Sequence, residues 1–387
     1  MQIVREKNLV DQKDLKELLK WHSDRGILSI YLSVEARERN ISQRWKAQVR
    51  SRISSMNRRS HDNKYLDSAL DKAQSTLMEI PLEMRKRSLV YIHDVEHDRT
   101  FIRSMQIPLE NKTVWMETPF LRPLVSVLDE SPVLGIVVVC QELARVITWR
   151  QGLIEADREK EYVFDIGIDN ESSPASSGVG RLSGSQTDLY EQKIEVQRKK
   201  ELARLAHRLV DVARHEEWQS IMLIGDQKLT DTIEENLPVK WQQNVIGKLD
   251  KNLIKASLSK IEITITSLLK KWKRRIENKL VENVINTAMA GGKAVTGVQK
   301  TIDAVEQYRV ERLLFASDLQ VEGYKDEKNA IMIELEEEEK EGLKKENYVI
   351  ERLIELCYEA SARVTPIEGK AAEKLKEVGG LAGFLRY

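Results

Sequence analysis

The chain has 387 residues, more than one compact core accommodates, so two or three domains are expected. Lys plus Arg and Asp plus Glu stand at 62 each, which excludes a protein that is drawn to nucleic acid by bulk charge; the distribution of charge must carry any such signal. Two cysteines, Cys140 and Cys357, each in an apolar run, cannot build a zinc site alone and read as buried free thiols in a reducing compartment.

In chain order, "MQIVREKNLVDQKDLKELLKW" has no apolar h-region, so no signal peptide is expected. "GILSIYLSV" reads as a strand behind an N-terminal helix. The stretch after it carries Arg37, Arg39, Arg44, Lys46, Arg50, Arg52, Arg58 and Arg59 against three acids, with Trp45 inside it. That is either a phosphate-binding surface or a solvated helix face. "SLVYIHDVEHDRTFIRSMQIPL" reads as a hairpin, which puts His93 and His97 near its turn as surface residues and not as a metal pair. Pro119, Pro123 and Pro132 mark a boundary.

The second segment opens with "VLGIVVVC", the longest apolar run and too short to span a membrane. With "ARVITWRQGLIEA" and "EYVFDIG" it reads as a meander covered by later helices. A polar tract from Asp169 to Thr187 follows, then a helix from about Asp188 to His215, a strand at "SIMLIGD", a helix at "QKLTDTIEENL", and a long helix or pair of helices ending at Gly291-Gly292. Lys270, Lys271, Lys273, Arg274 and Arg275 make a second basic cluster there, open between RNA contact and solvated face. The third segment alternates helices at "GVQKTIDAVEQYR", "YVIERLIELCYEASA" and "GKAAEKLKEVG" with strands at "VERLLFASD", "AIMIEL" and "RVTPIE", a small α/β sandwich. The acidic "ELEEEEKEG" reads as a solvated excursion. The expected organisation is α/β and multidomain, with divisions at 1–123, 124–290 and 291–387.

The polar tract contains almost no apolar side chain, so it is expected to be mobile and to carry Gly184-Ser185-Gln186 in front of a stiff rod. Its "GVGRLSG" does not leave a strand directly and is therefore no dinucleotide fingerprint. In the helix behind it, Leu202, Leu205, Ala206, Leu209, Val212 and Ala213 share one face, while Lys193, Lys200, Arg204 and His207 share the other. A carboxamide is a poor acid or base, but it can orient a water, and a backbone N–H can face an oxyanion. Such tools suit ester hydrolysis in a site that another body completes.

These residues resemble the middle domain of the archaeal and eukaryotic class-1 peptide release factors, in which a Gly-Gly-Gln loop heads a long helix. "LVSVLDESPVLGIVVVCQELARVITWRQGLI" resembles the start of that domain in bacterial members of the release factor and Pelota superfamily. "AVTGVQKTIDAVEQYRVERLLFASD" and "GKAAEKLKEVGGLAGFLRY" resemble the opening and close of its C-terminal domain. The resemblance implies an RNase H-like middle domain with a loop-plus-long-helix projection and an L7Ae-like α/β/α C-terminal domain, behind an N-terminal α/β domain. Ser185 in place of the middle glycine is similar to the Vms-type ankyrin and zinc-finger peptidyl-tRNA hydrolases. The Asn-Ile-Lys-Ser stop-codon motif is missing, since "NISQ" does not match it.

What the resemblance implies is a peptidyl-tRNA hydrolase acting on stalled ribosomes or 50S subunits, with Gln186, Ser185 and Gly184 at the reacting ester. Arg181, Lys193, Lys200 and Arg204 would meet rRNA or tRNA phosphates. No metal or organic cofactor is expected, nor a membrane or DNA partner. The partners would be the ribosome, peptidyl-tRNA and a translational GTPase, in the cytoplasm. The alternative is a non-catalytic ribosome- or RNA-binding protein of the same fold.

Overall fold

The computed structural model describes residues 10–33, 46–47, 49–54, 63–80, 87–105, 107, 109–130, 133–150, 153–154, 162–165, 184–326, 330–333, 335–340 and 342–387, with backbone alone at 129–130, 153–154, 162–165, 184–191 and 337–338. It is a mixed α/β protein that separates into two compact units, Met1–Glu130 with Lys273–Tyr387, and Ser131–Trp272. Most of the basic stretch near the N-terminus lies outside the described residues.

In the first unit, β1 (Ile27–Ser33), β2 (Ser88–Asp94), β3 (Arg99–Met105) and β4 (Lys112–Met116) form an antiparallel sheet in the order β3-β2-β1-β4. Successive side chains of a strand face opposite ways, so β1 serves two cores at once. Leu28, Ile30 and Leu32 pack under the helix Lys64–Glu79, whose Leu66, Ala69, Leu70, Ala73 and Leu77 recur at helical spacing. Ile27 and Tyr31 face the other core with Val90 and Ile92. Asn63 caps that helix by accepting from the Tyr65 and Leu66 N–H groups.

The β2–β3 hairpin forms as expected, but His93 corrects its surface assignment. It is 3% exposed, with Nδ1 3.1 Å from the Arg99 carbonyl and 3.0 Å from Thr100 Oγ1. Burial, then the Lys72 charge, pushes its pKa below the usual imidazole value. The turn is organised by buried Asp94, which accepts from the Glu96 N–H, His97 Nδ1 and Arg99 Nε.

The C-terminal part of the same unit carries a sheet in the order β11 (Ala294–Thr296), β17 (Leu381–Leu385), β12 (Val310–Ala316), β16 (Arg363–Ile367), with only β12 and β16 parallel. Leu313 and Phe315 of β12 face one helical layer with Ile302 and Leu353, while Leu314 and Ala316 face another with Val281, Ala371 and Leu375. That is the expected α/β/α sandwich. "AIMIEL" enters a separate small sheet as β14 (Ile331–Met332), with β13 (Gly323–Lys325) and β15 (Lys344–Glu346). The strand that fills the main sheet is β17, from "LAGFL".

Glycine is required at the last turn before β17. Gly379 and Gly380 take φ of +98° and +75°, and a Cβ on Gly379 would stand 3.1 Å from the Gly297 Cα. Their N–H groups return to the Lys376 and Leu375 carbonyls, a Schellman closure of the helix Gly369–Lys376. The helix Val349–Glu359 closes the same way with Ser361 at φ +54°, where no glycine is present.

Arg122, on the helix Arg122–Glu130, is a buried cation at 8% exposed. Its guanidinium lies 2.8 Å from Glu351 Oε1 and donates to the Leu319 carbonyl at 2.8 Å and to that of Ser317 at 3.3 Å. Cys357 is buried as expected, and burial pushes its thiol up to about 12. Cys140 is only half-buried, because it sits at the turn that ends its strand.

The second unit is built on β5 (Leu134–Val139), β6 (Leu143–Arg150), β7 (Leu153–Ile154), β8 (Tyr162–Asp165), β9 (Ser220–Ile224) and β10 (Val245–Leu249). β6 is antiparallel to β5 and pairs with both β7 and β8, while β9 and β10 run parallel to β5 on its other side. A meander followed by two parallel strands is the arrangement of an RNase H-like sheet, as the resemblance implied. Gly135 in β5 leaves room for the Trp218 indole, whose ring would stand 2.1 Å from a Cβ there; the indole N–H donates to Thr148 Oγ1 at 2.9 Å. β10, from "VIGKL", was not foreseen. The helix Leu258–Met289 is one element and not two.

Candidate functional site

The long helix expected from Asp188 begins earlier, at Gly184, and runs to His215. Gly184-Ser185-Gln186 is therefore the first helical turn and not the loop in front of it. Loop composition hid this, since Gly and Ser are weak helix formers. The first N–H groups of an α-helix have no acceptor within the helix and carry its positive dipole end. A tripeptide there offers backbone donors to a carbonyl oxygen as well as the Gln186 side chain. Arg181 and the tract before it lie outside the described residues.

The apolar face is as predicted. Leu202, Leu205, Ala206, Leu209, Val212 and Ala213 are buried, packed with Val137, Val139, Ala144 and Val146 of β5 and β6 and with Leu223 of β9. Toward the N-terminus, Leu202 is the last fully buried side chain of this helix among the described residues. From Gln192 to Glu201 no side chain is buried, and Val196 is 54% exposed. The span from Gly184 to Leu202 is 18 residues, or about 27 Å of helix at 1.5 Å per residue. Sequence reasoning missed this thinly packed stretch, in which Ile194, Arg198 and Glu201 are half-buried, although "EQKIEVQRKKE" shows only two apolar residues, too few for a docking stripe.

Lys193, Lys200, Arg204 and His207 are all exposed. Their charges are not equally available. Arg204 is paired with Glu201 one turn back, whereas Lys193 and Lys200 have no ion pair among the described residues. The structure thus brings Gly184, Ser185, Gln186, Lys193, Lys200 and Arg204 onto one rod.

Residues 119–263 match the family "Bacterial archaeo-eukaryotic release factor family 10", and residues 275–387 match eRF1 domain 3. The chain is a bacterial member of the archaeo-eukaryotic release factor and Pelota superfamily. It is a release-factor-like translation protein, and the helix bearing Gly184-Ser185-Gln186 lies inside the first matched span. This release factor homologue is 22% identical over 241 residues to the uncharacterized protein YocB of Bacillus subtilis (strain 168), covering 61% of this chain and 89% of that protein. Among solved structures, the archaeal translation termination factor aRF1 is 18% identical, with 97% and 96% of the two chains covered and a TM-score of 0.24. Archaeal Pelota, from a model of the ribosome-bound protein with ABCE1, is 15% identical over 97% and 94% of the chains with a TM-score of 0.41. Dom34 of S. cerevisiae, described as a translation termination-like factor that interacts with Hbs1, is 9% identical over 78% and 86% with a TM-score of 0.40.

Proposed function

We propose that this protein rescues stalled ribosomes or 50S subunits by hydrolysing the ester of peptidyl-tRNA. The observation that carries this reading is Gly184-Ser185-Gln186 as the opening turn of a helix that has no fully buried side chain between Gln192 and Glu201. Such a turn can enter a narrow cavity that belongs to another molecule.

Water adds to the ester carbonyl carbon and the carbonyl electron pair moves onto oxygen. The tetrahedral intermediate then expels the terminal ribose oxygen, which leaves as a hydroxyl after taking the proton the water gives up. Products are a free peptide acid and deacylated tRNA. The Gln186 carboxamide holds the water by hydrogen bonds and exchanges no proton with it. The backbone N–H of Gln186, near the positive end of the helix, faces the developing oxyanion, where a fixed donor is worth most. Gly184 and Ser185 keep the turn slim. Arg181, Lys193, Lys200 and Arg204 lie along rRNA or tRNA phosphates, giving sequence-blind and salt-sensitive attraction. The α/β/α C-terminal part is the surface for a translational GTPase or another ribosomal site.

The test is to mix the protein with stalled ribosome–nascent-chain complexes and follow the tRNA-linked band. Loss of the band with the native protein but not with Gln186→Ala supports hydrolysis. Binding of both proteins with no release by either overturns it in favour of a non-catalytic binder.

A further inference from the structure

The helix Leu258–Met289 carries a charge pattern that peptide release does not use. Lys270, Lys271, Lys273, Arg274, Arg275 and Lys279 fall within a few turns of it. Lys273 turns to its own protein, 3.4 Å from Glu277, whose side chain is 3% exposed, and 3.6 Å from Glu368. The other five are exposed and have no ion pair among the described residues.

Lys270 and Arg274 form one row at a spacing of four residues; Lys271, Arg275 and Lys279 form a second. Neighbours in each row are about 6 Å apart along the axis. Like charges at this spacing oppose helix formation. Glu277 and Glu282 stand three residues beyond Arg274 and Lys279, but Glu277 pairs with Lys273 and Glu282 with Lys374, so neither forms an ion pair with these five among the described residues. From Lys270 to Lys279 the helix rises about 14 Å, one positive charge per ~3 Å. A nucleic-acid duplex carries a negative charge per ~1.7 Å of axis, dense enough to meet every one of them. Within this stretch the only large apolar side chains, Trp272 and Ile276, are half-buried. The face therefore lacks the exposed aromatic anchor around which protein interfaces are built.

We infer that this face binds the phosphate backbone of duplex RNA without reading its sequence. It is a second contact, separate from the helix that begins at Gly184. It rests on membership of a translation-factor superfamily and not on hydrolysis by Gln186.

The test uses the full chain and a fluorescein-labelled RNA duplex of about 20 base pairs, with anisotropy read across a salt series. In the variant Lys270→Gln/Lys271→Gln/Arg274→Gln/Arg275→Gln/Lys279→Gln, the slope of log affinity against log salt should flatten by roughly 3–5, and affinity at low salt should fall roughly 100-fold or more. Its helical circular dichroism should be unchanged or higher, because repulsion has been removed. A charge-retaining variant, Lys270→Arg/Lys271→Arg/Lys279→Arg, should bind as the native chain does. Gln186→Ala should also bind unchanged, so loss of release and loss of this contact are read separately. An unchanged slope in the glutamine variant overturns the inference. Loss of binding in the arginine variant also overturns it, since the contact would then not depend on charge.

Discussion

Replacing Arg122 with methionine should destabilise the unit formed by Met1–Glu130 and Lys273–Tyr387 in a pH-dependent way. Arg122 and Glu351 are 8% and 5% exposed and meet at 2.8 Å, and the guanidinium also serves the Leu319 and Ser317 carbonyls. Removing one partner of a buried pair leaves the other charge stranded, at a cost of about 3–5 kcal/mol. Lys112 is a second, weaker source of positive potential at Glu351, which favours the lower end of that range. Burial already raises the Glu351 carboxyl above its usual value while Arg122 pulls it down, so losing the arginine moves it higher still.

A carboxyl whose folded pKa lies above its unfolded one binds its proton more tightly when folded, so stability falls as pH rises through that window. The gap between native chain and Arg122→Met should therefore be widest near pH 8 and narrower near pH 5. Arg122→Met/Glu351→Leu should recover most of the loss, since a packed apolar pair often equals a buried ion pair. Urea titration with hydrogen exchange read on the helix Val349–Glu359 isolates this unit from the other. A single-variant loss under ~1 kcal/mol at pH 8 would refute the reasoning, because about 3 is the least a stranded charge should cost. A wider gap at pH 5 than at pH 8 would refute it as well.

Further outcomes follow from the same packing. Gly135→Ala puts a methyl into the Trp218 ring at 2.1 Å and should cost at least ~1–3 kcal/mol, with a shift in tryptophan emission. Ser361→Gly relieves a left-handed residue at φ +54° and should raise stability by up to ~1 kcal/mol; a fall in melting temperature would count against it. Gly291→Ala, at φ +67° with open space around its Cβ position, should lower stability by about 1 kcal/mol through backbone strain alone.

Elements with a strong period were legible in the sequence. The stripe from Leu202 to Ala213 reports one buried face and packs as read, and "GILSIYLSV" forms the expected strand, buried on both faces. What failed lacked a local signal. "VIGKL" and "LAGFL" are short and interrupted by glycine, and only pairing with neighbours distant in sequence makes them β10 and β17. His93 looked exposed because polarity was read as solvent, whereas both faces of β2 are covered. The start of the site helix was misread for a related reason. Gly-Ser-Gln has loop composition, and nothing local says that a helix continues through it. In the basic run the Lys273–Glu277 pair is a local spacing of four, whereas the second partner of Lys273, Glu368, is distant in sequence and could not be read.

The central claim is that the Gln186 turn finishes a reaction centre made mostly of RNA. Single-turnover peptide release should therefore be measured on peptidyl-tRNA held in 50S subunits and on the same peptidyl-tRNA free in solution. Release is expected only in the subunit, with a roughly 100- to 1,000-fold slower rate for Gln186→Ala if its contribution matches that of an oxyanion donor. Equal cleavage of free and bound peptidyl-tRNA, or a Gln186→Ala rate equal to that of the native chain, would contradict it.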